Sequence, residues 1–122
     1  MISEGYTMIT NREECKCMKI LALEDNALEQ QEISKCLKGC NITYETSILK
    51  TINRVGIDII DCVLVDADFE NGIFNWQDLT GFLKEREMRY FVFSSNGKVG
   101  TLNNERVISI KDINENLLKQ IP

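Results

Sequence analysis

Short apolar runs alternate with amphipathic stretches along most of the chain. Residues 19–23 (KILAL) predict a strand, and 27–38 a helix with Leu28, Ile33 and Leu37 at helical intervals. Gly39 is placed to end that helix. Residues 42–46 (ITYET) predict a second strand, and 48–55 a short helix ended by Gly56. The run 61–65 (DCVLV) is apolar enough for the centre of a parallel sheet covered on both faces. A helix over 75–86 sets Trp76, Leu79, Phe82 and Leu83 on one side. Residues 90–94 (YFVFS) and 107–110 (VISI) predict two further strands. A last helix over 112–121 turns Ile113, Leu117 and Leu118 inward, with Asp112 as its N-cap.

This alternation predicts an α/β fold, a five-stranded doubly wound parallel sheet. Its weak point is the stretch 95–106, SNGKVGTLNNER, too rich in glycine and asparagine for a full helix. Parallel strands nevertheless need a crossover, so a shortened one is expected there. Residues 1–17 are polar and aperiodic and read as an N-terminal extension, with the folded domain spanning 18–122.

Composition narrows the function classes. The 122 residues are 43% hydrophobic and 27% charged, enough for one packed core. A formal net charge of −5 argues against direct nucleic-acid binding, which rests on Lys and Arg against phosphates. No apolar run is long enough to cross a bilayer, and the first residues lack the centre of a signal peptide, so no membrane contact and a cytoplasmic location are expected. The five cysteines, with no histidine anywhere, form no metal-ligand pattern and read as ordinary thiols.

The chemistry gathers at the ends of the predicted strands. The first ends in Glu24-Asp25, the third in Asp66, the fourth in Ser94-Ser95 and the fifth in Lys111. Parallel strands would bring these residues to one edge of the sheet, where such folds bind ligands. Clustered carboxylates cannot all stay ionised without a compensating cation, and all-oxygen donors with room for water suit Mg²⁺. A carboxylate beside a divalent cation is a serviceable nucleophile toward phosphorus, with a hydroxyl and an ammonium to hold the phosphoryl oxygens. Taken singly each residue has a plainer role, in capping, turning or solvation; their convergence carries the reading.

These residues resemble the response-regulator receiver domain of two-component signalling. MKILALEDN (18–26) is similar to its opening strand with an acidic pair, DCVLVDADF (61–69) to its phosphoacceptor strand, FVFSS (91–95) to the strand ending in Ser or Thr, and ISIK (108–111) to the one ending in Lys. The resemblance implies a flavodoxin-like sheet of order 2-1-3-4-5. It implies that Asp66 accepts a phosphoryl group from a histidine kinase or phosphotransfer protein. It further implies Mg²⁺ held by the carboxylates of Asp25 and Asp66 and the backbone carbonyl of Asp68, with Glu24 acting mainly through water, and Ser94 and Lys111 on the phosphoryl group. Such a protein is a switch rather than an enzyme, with self-catalysed phosphorylation and slow autodephosphorylation, and it signals to an output protein that the sequence does not name. Homodimers are common in the family.

Four positions depart from the family pattern. Asp112 follows Lys111 where a proline is usual, Glu70 stands where another proline is common, Ile108 replaces a frequent aromatic, and the 95–106 crossover is short. They motivate the alternative of a pseudo-receiver, a protein-interaction module not controlled by phosphorylation. A haloacid-dehalogenase-like phosphohydrolase, suggested by Asp66-x-Asp68, would place a further acidic motif well beyond Lys111, whereas the acids here lie upstream at Glu24-Asp25.

Overall fold

Side chains in a strand alternate between faces, so each apolar run divides its residues between two cores. The computed structural model describes residues 18–71 and 74–120. It orders the strands as β1 (Lys19–Leu23), β2 (Asn41–Glu45), β3 (Cys62–Asp66), β4 (Glu70–Asn71), β5 (Phe74–Asn75), β6 (Tyr90–Ser94), β7 (Gly100–Leu102) and β8 (Glu105–Ser109). The helices are α1 (Ala27–Cys36), α2 (Ile48–Ile57), α3 (Trp76–Glu85) and α4 (Glu115–Lys119), with a single 3₁₀ turn at Ile110–Asp112. One face of the sheet sets Leu21, Leu23, Val63, Val65, Val92 and Val107 against Ile48 and Val55 of α2 and Leu79 and Leu83 of α3. The other sets Ile20, Ala22, Cys62, Leu64, Phe93 and Ile108 against Ile33 of α1 and Leu118 of α4. Helices therefore cover both faces of an open, mostly parallel sheet, as a doubly wound α/β chain requires. Every residue of β3 is buried, in keeping with its central place.

The strand count and order differ from expectation. The sheet has six strands in the order β2-β1-β3-β6-β8-β7, and β7 runs antiparallel to β8 at the edge. A separate two-stranded ribbon joins β4 to β5. Where a frayed crossover was expected, the chain passes beyond β8, forms β7 and returns as β8. The asparagine pair explains this course. Asn103 and Asn104 both adopt positive φ, 53° and 67°, and join Leu102 to Glu105 across a two-residue hairpin, a conformation asparagine tolerates well.

Glu105 then ties the hairpin to its neighbours. The Tyr90 hydroxyl donates to its carboxylate at 2.8 and 3.0 Å, and Lys84 Nζ of α3 lies 2.6 Å from Oε2. Burial is the main cause, followed by the Glu105 carboxylate, of a Tyr90 pKa raised above its ordinary value. Glu105→Ala is expected to cost about 1–3 kcal/mol in urea unfolding, because it leaves the half-buried Tyr90 hydroxyl without its acceptor. A loss under ~0.5 kcal/mol would show the network to be ornamental.

Helix ends also differ. Helix α1 stops at Cys36 with Leu37 as its C-cap, and Gly39 serves a different purpose. Its N–H donates to Glu115 Oε2 of α4 at 3.1 Å, and a Cβ there would lie 2.8 Å from that oxygen. Gly56 lies inside α2, which runs on to Ile57. The last helix begins later than expected because Asn114, not Asp112, caps it, accepting from the Leu117 N–H. Among the described residues, no helix is long and apolar enough to cross a membrane. The expected extension, 1–17, lies outside the described residues.

Candidate functional site

Strands β1 and β3 are hydrogen-bonded neighbours in parallel register, Leu23 beside Val65, so Glu24, just past β1, and Asp66, the last residue of β3, meet at one edge of the sheet. Glu24 is fully buried and Asp66 nearly so. A third acid joins them from the first turn of α1: Glu29 brings a carboxylate oxygen within 4.8 Å of both. Glu29 stands where a capping box would place an acid to accept the N–H of the N-cap, Asn26. Here that N–H goes instead to Glu24 Oε2, at 3.0 Å, while the Asn26 side chain accepts from Leu28 and Glu29. Glu29 is thereby released from capping and turns toward Asp66. This is the member of the acidic cluster that sequence reasoning missed, since its position matches an ordinary cap motif.

Three acids in a buried edge disfavour ionisation. Burial, assisted by Glu29 and the charge of Asp66, pushes Glu24 up to about 9 from its ordinary 4.5. Asp66 rises to about 6, again mainly through burial, while the Asp68 N–H bonded to its Oδ1 at 2.8 Å opposes the rise. Oε1 of Glu24 and Oε1 of Glu29 are both buried without a hydrogen-bond partner. Orphaned, buried carboxylate oxygens of this kind are costly unless something fills them. A hard divalent cation fits the donor set: three carboxylates, all oxygen, gathered from two strand ends and one helix.

The other expected residues fall in different places. Asp25 is exposed and is not among the converging acids. Ser94 is buried and ends β6 beside β3, but the register pairs Phe93 with Asp66. Alternation therefore sets Ser94 on the face of Val92, opposite to that of Phe93 and Asp66. There Ser94 Oγ meets both oxygens of Asp68 at 3.2 Å, and Ser95 N–H donates to Asp68 Oδ2 at 3.1 Å. Lys98 Nζ stands 3.7 Å from Asp68 Oδ1. Asp68 thus contributes to the site through its N–H and its side chain. Lys111 is exposed: β8 ends at Ser109, whose side chain accepts the Lys111 N–H and starts the 3₁₀ turn, so the lysine sits on that turn rather than at a strand end.

The sequence matches no model of a known protein family and no curated protein.

Two other features hold no comparable chemistry. A cleft of about 320 Å³ at the opposite end of β1 includes Lys19, Arg54 and Asp58, but Arg54 is already paired with Asp58 at 3.1 Å and with Glu45. The Cys62 thiol lies within β3, and burial pushes it up to about 12, which keeps it protonated and inert.

Proposed function

We propose that the chain is a phosphoacceptor receiver domain of flavodoxin-like type, taking a phosphoryl group onto Asp66 with Mg²⁺ from a histidine kinase or phosphotransfer protein. The observation that carries this reading is the buried Glu24–Glu29–Asp66 cluster with two unfilled oxygens at the carboxyl edge of a parallel sheet. Bound there, Mg²⁺ would supply positive charge to the phosphoryl oxygens. Glu24, Glu29 and Asp66 would hold it, with the Asp68 carbonyl as a further oxygen donor. Asp25, exposed beside them, is proposed as a ligand only through water.

The chain's own residues then have defined tasks. Asp66 Oδ1 is oriented by the Asp68 N–H, which fixes the carboxylate for attack on phosphorus as the bond to the donor's nitrogen breaks. Burial excludes competing water from the nucleophile, and Ser94, buried at the end of β6, would offer its hydroxyl to the phosphoryl group in place of Asp68. Lys111 would join from the turn after β8 once the phosphoryl group is present. The output is a change in packing communicated to another protein, biased by a local change of charge.

The test is intact-mass spectrometry after incubation with acetyl phosphate. We expect a phosphate adduct that requires Mg²⁺ and is lost in Asp66→Asn. An adduct that persists in Asp66→Asn, or none in the wild type, overturns the reading. The second outcome would favour the pseudo-receiver alternative, which the exposed position of Lys111 and the engagement of Ser94 by Asp68 support.

A further inference from the structure

The Asp68 carboxylate occupies a group of donors that would suit a phosphoryl group. Ser94 Oγ, the Ser95 N–H at 3.1 Å, the Ser95 hydroxyl at 3.4 Å and the Lys98 ammonium at 3.7 Å all face it. The loop from Ser94 to Lys98 is itself wound around the serine: Asn96 N–H and Lys98 N–H both point at Ser94 Oγ, at 3.2 and 3.3 Å. Gly97, at φ +93°, supplies a backbone conformation that this tight winding needs. A buried hydroxyl, a backbone amide and an ammonium converging on one side-chain anion make an anion-binding set.

We propose that Asp68 is an internal stand-in for phosphate, and that Ser94, Ser95 and Lys98 become available to a phosphoryl group on Asp66 only when Asp68 leaves them. This rests on the phosphoacceptor reading and extends it, by making Lys98 the ammonium that pairs with the phosphoryl oxygens. Asp68 is coupled to Asp66 by the 2.8 Å hydrogen bond from its own N–H, so the two carboxylates are neighbours along the chain and across the site. A phosphoryl group adds charge and oxygens at Asp66. It repels the Asp68 carboxylate and competes for its donors at the same moment, which biases one loop between two arrangements. In the unmodified protein the latch holds the 95–98 loop closed and keeps inorganic anions out. Asp68 and Lys98 are in this account positioning and recognition residues, distinct from the acids that hold the cation.

Two measurements on the full chain test this. The first is NMR titration with inorganic phosphate, read at the Ser95 amide. We expect no saturable shift in the wild type, a saturable shift in Asp68→Ala, and its loss in Asp68→Ala/Lys98→Ala. The second is the rate of adduct formation from acetyl phosphate and Mg²⁺, which Asp68→Ala should raise on the order of tenfold, the size of one charge-assisted hydrogen bond set free. Lys98→Ala should remove that gain. Asp68→Asn keeps an oxygen acceptor without the charge and should give an intermediate rate, covering the case in which the alanine variant does not fold. An unshifted Ser95 amide together with an unchanged rate in Asp68→Ala and Asp68→Asn overturns the latch while leaving the phosphoacceptor reading intact. A saturable Ser95 shift in Asp68→Ala without an adduct in any variant supports the anion set and overturns the phosphoacceptor reading.

Discussion

Glu24→Gln is expected to raise the melting temperature of the metal-free protein at pH 8 and to abolish its stabilisation by magnesium. Glu24 holds its proton more tightly in the folded chain than in the unfolded one, about 9 against an ordinary 4.5. The folded state therefore binds more protons through that interval, and the contribution of Glu24 to stability is full below about 4.5 and is lost as pH rises toward 9. Asp66, raised from 3.8 to about 6, pulls in the same direction over its own lower interval. Glutamine reproduces the protonated side chain and keeps an oxygen for the Asn26 N–H, so it removes the decline without removing the contact. Below about pH 4.5, where both states hold the proton, the two proteins should melt together. At pH 8 the variant should be more stable by several degrees, since about 1 kcal/mol moves the midpoint of a domain of this size by ~4–8 °C. Magnesium at ten times its dissociation constant should restore the wild type by about 1.4 kcal/mol and leave the variant unmoved. Thermal melts at both pH values, with and without Mg²⁺, read all four cases. A wild type whose midpoint is flat from pH 5 to 8 and indifferent to magnesium would falsify the account of the acidic cluster.

Phe93→Ala is expected to cost about 3–5 kcal/mol, the range for emptying a fully buried aromatic position. Small domains are stable by only ~5–15 kcal/mol, so the variant should sit near the edge of folding. Phe93 stands in register beside Asp66 and on the same face, among Leu64, Ile108 and Ile113. Its removal should therefore loosen the floor beneath the acids as well as the core, and weaken the magnesium response of whatever remains folded. Phe93→Leu, which keeps most of the volume, should cost under about 1.5 kcal/mol and retain that response. Urea unfolding curves of the two variants give the comparison, and equal costs for alanine and leucine would rule out a packing role for the ring.

Much of this architecture was legible because periodicity and burial agree. The runs KILAL, CVLV and YFVFS are strands in which nearly every residue has a core to enter, and the helix of Trp76, Leu79 and Leu83 buries the side its spacing predicts. The misreadings have local causes. Glycine and asparagine in the stretch 95–106 suggest a shortened crossover, whereas two adjacent asparagines between short strands also make a hairpin turn, and the edge strand β7 (GTL) gives no apolar signal. The mainly apolar run VISI suggests a strand that ends at Lys111, but its one polar residue, Ser109, ends the strand earlier by capping the turn that follows. Glu24 and Asp66 were identified from the strands they follow. Glu29 was not, because its recruitment depends on which of two acids takes the Asn26 N–H, a competition settled only in three dimensions. Nor does spacing reveal that Ser94 faces Asp68, which follows from a register of Phe93 with Asp66.

The edge strand bears on how copies of this chain meet. A parallel sheet ending in β8 would present a row of free amides and carbonyls to any second strand, an invitation to self-templating and aggregation. The three residues of β7 cover Glu105, Arg106 and Val107 instead, and being short, bent into a tight turn and opened by Gly100, they make a poor template themselves. The chain carries its own terminator for sheet growth on that side, and any association there must be built from side chains rather than from strand addition.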